Sequence, residues 1–191
     1  MPDVAPPPSA AVAGEGAGPT TMEISVFEGD LTDAPAEAIC TSTNPRLSLM
    51  MGSGGAVRER GGFEVLRACE QITGGKLLPP GSAHVTTAGA LPFKAVIHCV
   101  AGTETHLTSA AIIQACVRNA LARADAAGYA TVAMPVFGTG HGRFPFERAL
   151  QTIDEALQSA STSVQRVVIA INDSARAESA RRVLRGARSS R

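Results

Sequence analysis

Residues Ala133-Met134-Pro135-Val136-Phe137-Gly138-Thr139-Gly140-His141-Gly142-Arg143-Phe144-Pro145 run from an apolar strand through three alternating glycines into a helix start. Gly138, Gly140 and Gly142 carry no Cβ, so the backbone can turn through positive φ and aim several N–H groups at one ligand. Pro145 suits the first position of a helix, and Phe146, Ala149, Leu150, Ile153 and Leu157 follow as an apolar stripe at helical spacing. The free amides of that helix's first turn therefore lie close to the loop, and the stretch reads as an anion site suited to a diphosphate.

Taken alone, such a loop is also what an ordinary surface turn looks like. A second stretch changes the reading. Met51-Gly52-Ser53-Gly54-Gly55 again follows a strand-like run and again leads into a helical segment, over residues 56–60. Two loops of this kind in one small domain predict two jaws around one extended anion.

The rest of the chain is consistent with one α/β domain. Its 191 residues, 45% hydrophobic and 18% charged, are enough for a single substantial core. Residues 1–21 are rich in Pro, Ala and Gly without periodic apolar positions and read as a disordered leader. The glycines at 14, 16 and 18 follow no strand and open no helix, so they are no nucleotide fingerprint. Residues 22–185 form the folded domain, and residues 186–191 a flexible basic tail.

Strands are expected from about residue 22 to 28 and over 36–42, 83–87, 95–100, 131–136 and 164–171. Helices are expected over 56–60, 63–72, 108–127, 146–157 and 175–185. Strands alternating with helices predict helices on both faces of a mostly parallel sheet. In such sheets ligands bind at the carboxyl ends of the strands, where both glycine loops fall.

Charge and cysteine content exclude several classes. Formal net charge is zero, so no global field draws in nucleic acid. From residue 174 onward six arginines accompany a single glutamate, Glu178, which reads as a solvated helix face and tail. Cys40, Cys69, Cys99 and Cys116 lack C-x-x-C spacing and sit in apolar runs, as buried reduced thiols do. That points to a reducing, cytoplasmic setting, with no metal site and no cofactor. No apolar run approaches the ~20 residues of a membrane span. No G-x-x-x-x-G-K-[ST] occurs and neither Lys76 nor Lys94 lies in a glycine loop, which removes the P-loop nucleotidases. His98, in the apolar run 95–100, reads as a core histidine, while His141 and Arg143 stand where a ligand could meet them.

In order and spacing, Gly29-Asp30-Leu31-Thr32, then Asn44, then the Gly52 loop, then Leu91-Pro92-x-x-Ala95-Val96-Ile97-His98, then Pro135-x-x-Gly138-Thr139-Gly140 resemble the macro domain. The resemblance implies a three-layer α/β/α fold with a six-stranded mixed sheet, and a cleft for ADP-ribose, free or protein-attached. It gives Asp30 the adenine amine, Leu31 a backbone N–H to the same ring, and Asn44 the distal ribose. Met51, Gly52, Ser53 and Gly54 would line one side of the diphosphate and distal ribose. Gly138, Thr139, Gly140, His141 and Gly142 would line the other, with Arg143 and Phe144 beside them. Asn172 would stand at the adenine.

Several positions depart from the family's pattern. Gly54 occupies the place of an aspartate that orients water in members that hydrolyse ADP-ribosyl linkages, and a glycine cannot do so through a side chain. Thr41 replaces the first asparagine of an Asn-x-x-Asn pair, and Met50 and Met51 replace loop glycines. Gly142 stands for an aromatic, with Phe144 two places on, and Asn172 stands where an aromatic often stacks on adenine. The resulting expectation is a monomeric module that binds ADP-ribose or an ADP-ribosylated protein, with weak or absent hydrolysis. The alternative is a mono-ADP-ribosyl or O-acetyl-ADP-ribose hydrolase in which Asn44 is the catalytic residue. A third reading, poly-ADP-ribose or single-stranded RNA binding, rests on the arginine-rich end and lacks aromatics for stacking.

Overall fold

A computed structural model describes residues 22–189. The expected leader and the last two residues of the expected tail lie outside the described residues. In chain order the elements are β1 (Glu23–Glu28), a 3-10 turn (Leu31–Asp33), β2 (Ala38–Thr43), α1 (Gly52–Gly61), α2 (Phe63–Thr73), β3 (Ala83–Thr86) and β4 (Ala95–Val100). Then come α3 (Ala110–Ala127), β5 (Thr131–Pro135), α4 (Phe146–Gln158), β6 (Arg166–Ile171) and α5 (Ser174–Ser189).

The strands form one six-stranded sheet in the order β1-β6-β5-β2-β4-β3, parallel except for β3, which runs antiparallel to β4. Every residue of β4, Ala-Val-Ile-His-Cys-Val, is buried, as a strand covered on both faces requires. The alternation of its side chains divides the core in two. Ile97 and Cys99 join Ile113, Cys116, Leu150, Ile153 and Ala177 in one apolar cluster, which places α3, α4 and α5 on one face. Val96 and Val100 join Val57, Val65 and Cys69 in the other, which places α1 and α2 opposite. The architecture is the expected three-layer sandwich.

The long helix shows how sequence produces its element. Ile113, Cys116, Val117, Ala120, Leu121 and Ala124 are its buried residues, at the spacing of one helical face. Ser109 caps its start by accepting from the Ile112 amide at 3.3 Å, and Gly128 ends it in the left-handed region at φ 70°.

Strand ends differ from expectation by one or two residues. Three other boundaries differ for reasons that matter. The segment after Met51 is not a loop leading to a helix at residue 56, because α1 begins at Gly52 and takes Gly54 and Gly55 into its first turns. Glycine disfavours helix by ~1 kcal/mol per residue. Here the Gly55 amide donates to the Met51 carbonyl at 3.1 Å, and Ser53 anchors the first turn to β2, so tertiary contacts override propensity. Pro145 precedes α4 with extended backbone, φ −56° and ψ 128°, and its carbonyl accepts the helix's first bond from Ala149 at 2.9 Å. Finally, α5 runs on to Ser189, so residues 186–189 of the expected tail continue the helix.

Candidate functional site

A cleft of about 620 Å³ crosses the carboxyl ends of the strands. Sheet order fixes what stands where along it. Residues following β1 and β6 form one end, the loop after β5 and the start of α1 form the middle, and residues following β2 and β4 form the far end.

At the first end, the Gly29 amide donates to the Ile171 carbonyl at 2.9 Å, so the chains leaving β1 and β6 stay side by side. Asp30 caps the 3-10 turn: its Oδ1 accepts from the Thr32 amide at 2.8 Å and also from the Thr32 hydroxyl. Arg60 donates to that hydroxyl and, through Nη2, to Asp33 at 2.7 Å. The hydrogen bond from Arg60 holds the Asp33 carboxyl below its usual range. Asp30 is thereby held by one oxygen, with Oδ2 left for another donor. Across from it, Asp173 Oδ1 accepts from the Arg176 amide at 2.8 Å at the start of α5. The Arg176 guanidinium lies 5.2 Å from the centroid of Phe146.

In the middle, two backbone segments that carry amides without acceptors line one space. Met51, the residue before α1, makes no side-chain cap, and the amides of Gly52, Ser53 and Gly54 have no acceptor among the described residues. Ser53 Oγ accepts from the Ser42 amide at 3.1 Å and stands 3.0 Å from Thr41 Oγ1, tying this helix end to β2. Opposite, Gly138 adopts φ 79° and its carbonyl accepts from the Phe144 amide at 3.0 Å, while the Gly140 carbonyl accepts from Arg143 at 3.0 Å. A Cβ on Gly142 would stand 2.7 Å from the Gly138 oxygen, so only glycine fits. The loop thus folds on its own carbonyls. The amides of Thr139, Gly140, His141 and Gly142 have no acceptor among the described residues. Unpaired donors at a helix N-terminus and at a glycine turn are groups of the kind that bind anions.

At the far end, Asn44 Oδ1 accepts from the Arg46 and Ser48 amides at 3.0 and 3.1 Å. Its carbonyl oxygen is committed to the loop, and what it can present to a ligand is its NH₂. His106, after β4 at φ 62°, and His141 face each other with ring centroids 5.4 Å apart. Arg46 Nη2 bonds Glu104 Oε1 at 2.6 Å and joins the loops after β2 and β4.

Twelve residues singled out from the sequence therefore line one cleft: Asp30, Leu31, Asn44, Met51, Gly52, Ser53, Gly138, Thr139, Gly140, His141, Gly142 and Asn172. Gly54, Arg143 and Phe144 do not. Gly54 is buried, and a Cβ there would point at Leu49, 3.4 Å from its Cα, rather than into the cleft. Arg143 is exposed outside the lining at φ 47°, and Phe144 packs against the core beneath the loop. His106 and Arg176 line the cleft and were missed. Both follow a strand's carboxyl end by a few residues, a positional signal that would have found them. Among the described residues no cluster of three or more His, Cys, Asp or Glu could hold a metal, and no helix is long and apolar enough to cross a membrane.

The buried histidine and thiols stand apart from the cleft. His98 Nε2 meets Thr86 Oγ1 at 2.8 Å, and burial lowers its pKa to about 3, keeping it neutral. All four cysteines are free and buried, and burial pushes the Cys69 thiol up to about 11.

Residues 40–153, from β2 into α4 and including both glycine turns, match the family model of the macro domain. A macro domain-containing protein of Streptomyces coelicolor is 35% identical over 157 residues, spanning 78% of this chain and 91% of its own. An O-acetyl-ADP-ribose deacetylase of Enterobacter cloacae is 38% identical over 130 residues, 64% of this chain and 70% of its own. A mutant of the Oceanobacillus iheyensis macrodomain solved with ADPR has the same fold, with a TM-score of 0.78 and 22% identity over 86% of this chain and 92% of that one. The Trypanosoma brucei macrodomain in complex with ADP-ribose gives 0.76 and 19% over 85% and 69%. With the family model covering more than half its length and relatives above 30% identity, the chain belongs to the macro domain family.

Proposed function

We propose that the cleft binds ADP-ribose, free or carried on a protein, and that hydrolysis of the ligand is slow or absent. The observation that carries this reading is the pair of amide sets, from the start of α1 and from the loop after β5, on two walls of one cleft. A diphosphate between them accepts from both. In this reading the adenosine arm runs toward Asp30 at one end of the cleft, whose Oδ2 accepts from the exocyclic amine, and the distal ribose runs toward the Asn44 NH₂ and the two histidines at the opposite end. The cleft volume falls in the range of about 300–1,000 Å³ usual for small-molecule sites.

Isothermal titration with ADP-ribose, ADP and AMP tests it. ADP-ribose should bind tightest and AMP, which lacks the second phosphate, weakest. Absence of heat with ADP-ribose at high micromolar protein rejects the reading.

The alternative, hydrolysis of O-acetyl-ADP-ribose or of mono-ADP-ribosyl groups, is favoured by the 38% identity to a deacetylase. Against it, the acidic residue lining the cleft, Asp30, stands at the adenosine end, and Gly54 is turned toward Leu49. Water at the distal sugar would have to be held by the Asn44 NH₂ and a ligand phosphate oxygen. Single-turnover release of acetate or ADP-ribose measures this directly. A rate well above that of buffer, abolished by Asn44→Ala, would establish the enzyme reading.

A further inference from the structure

The adenosine end of the cleft has a place for a base but no aromatic ring to receive it. No Phe, Tyr or Trp lines the cleft, and the imidazoles of His106 and His141 belong to the far end. Asn172, just past β6, is exposed and offers no ring. One extended planar group remains there, the Arg176 guanidinium.

Its surroundings fix the start of the helix that carries it. The Arg176 amide is bound to Asp173 Oδ1, which fixes the first turn of α5. Glu28 accepts from Ser174 at 2.6 Å and from Arg181 at 3.0 Å, tying the same helix to the end of β1 and hence to the strand that leads into Asp30. The guanidinium carbon lies 5.2 Å from the centroid of Phe146, which is itself packed against the core. Among the described residues no carboxylate pairs with Arg176, although Arg181 and Arg182 on the same helix are paired. An arginine that lies over a ring, is itself exposed and pairs with no carboxylate among the described residues has a guanidinium available to stack.

We propose that Arg176 is the base platform of this site: resting on Phe146, its guanidinium takes the purine on its outer face while Asp30 accepts from the exocyclic amine. The inference rests on the ADP-ribose reading above. It assigns to a flat cation the work an aromatic ring would do, and makes Arg176 a specificity residue for the base rather than a phosphate contact. Guanidinium planes stack on nucleobases readily, and the contact depends on planarity as much as on charge.

Three variants separate plane from charge: Arg176→Ala, Arg176→Lys and Arg176→Tyr, each titrated with ADP-ribose and AMP after thermal unfolding has shown it folded. The platform role expects about tenfold weaker ADP-ribose binding for both Ala and Lys, and binding within about threefold of wild type for Tyr. AMP should show the same ranking, because it retains the base. Lys at wild-type affinity with Tyr as weak as Ala would make Arg176 a phosphate contact and overturn the proposal. Three variants all binding like wild type would overturn it too, leaving ADP-ribose binding intact. A wild-type protein that does not bind ADP-ribose rejects the underlying reading and this inference together.

Discussion

Ser53 Oγ stands 3.0 Å from the hydroxyl of Thr41 and accepts the amide of Ser42 at 3.1 Å, so the first turn of α1 is fastened to the end of β2 by one small side chain. Thr41 stands where the family pattern has an asparagine, and its hydroxyl is engaged with the first turn of α1. Ser53→Ala removes both bonds and leaves the Thr41 hydroxyl and the Ser42 amide without that partner. A loss of about 1 kcal/mol in stability is expected by urea unfolding. ADP-ribose affinity should fall by about tenfold, since the amides of Gly52, Ser53 and Gly54 lose their fixed direction. Unchanged affinity in a folded Ser53→Ala protein would mean that α1 holds its own position.

The two glycines that flank His141 should behave differently. A Cβ at Gly142 meets the Gly138 carbonyl oxygen at 2.7 Å, whereas a Cβ at Gly140 has nothing within 4 Å. Gly142→Ala must open the turn, and is expected to lower stability by about 1–3 kcal/mol and to remove measurable ADP-ribose binding. Gly140→Ala should melt within a degree or two of wild type. Its affinity then reports how closely the ligand approaches that backbone, and equal thermal stability of the two variants would contradict the loop geometry.

Much of this is legible in the sequence. The strands over 95–100 and 131–136 and the helix over 108–127 carry strong apolar patterns, and the two glycine-rich stretches fall where an α/β sheet binds ligands. The start of α1 was not legible, because four residues of Gly-Ser-Gly-Gly have no helical propensity and become helical only through Ser53 and β2. The facing of Gly54 toward Leu49 follows from the helix starting at Gly52 rather than at residue 56. Asn44 was legible as a site residue but not in its chemistry, since its oxygen is taken up by two amides of its own loop. In the sequence Arg176 reads as part of a solvated basic stretch, because its distinguishing feature is a contact with Phe146, thirty residues earlier in the chain.

Stability should fall with acid before the carboxylates titrate. His98 is buried and neutral, with a pKa lowered to about 3 first by burial and then by the nearby His84. In the unfolded chain it titrates at its ordinary value of 6.5. Between those two values the unfolded state binds the extra proton, so stability is complete above about 6.5 and declines as pH falls toward 3. The slope for this one group approaches about 1.4 kcal/mol per pH unit. His84, lowered by burial and by Arg123, adds in the same direction. Urea unfolding at pH 7.5, 6.5 and 5.5, with the His98 imidazole followed by NMR, checks it. Constant stability over that range, or an imidazolium His98 in the native state at pH 5, contradicts the account.

Asn44 does two things with two ends of one amide, and replacing it with aspartate separates them. Its Oδ1 holds the turn after β2 by accepting from the Arg46 and Ser48 amides, and its NH₂ is the end left for the distal ribose in the proposed reading. Asn44→Asp keeps an acceptor for both loop amides, so unfolding free energy should stay within about 1 kcal/mol of wild type. It removes the donor and introduces negative charge into a cleft built for an anion, so ADP-ribose affinity should drop by tenfold or more, most strongly at low salt. Asn44→Ala loses both functions, and is expected to bind weakly and to unfold more easily by about 1–3 kcal/mol, because two loop amides are left without their acceptor. Should Asn44→Asp bind ADP-ribose as tightly as wild type, the NH₂ makes no contact with ligand, Asn44 is a loop residue only, and the alternative hydrolytic reading loses its water-holding group.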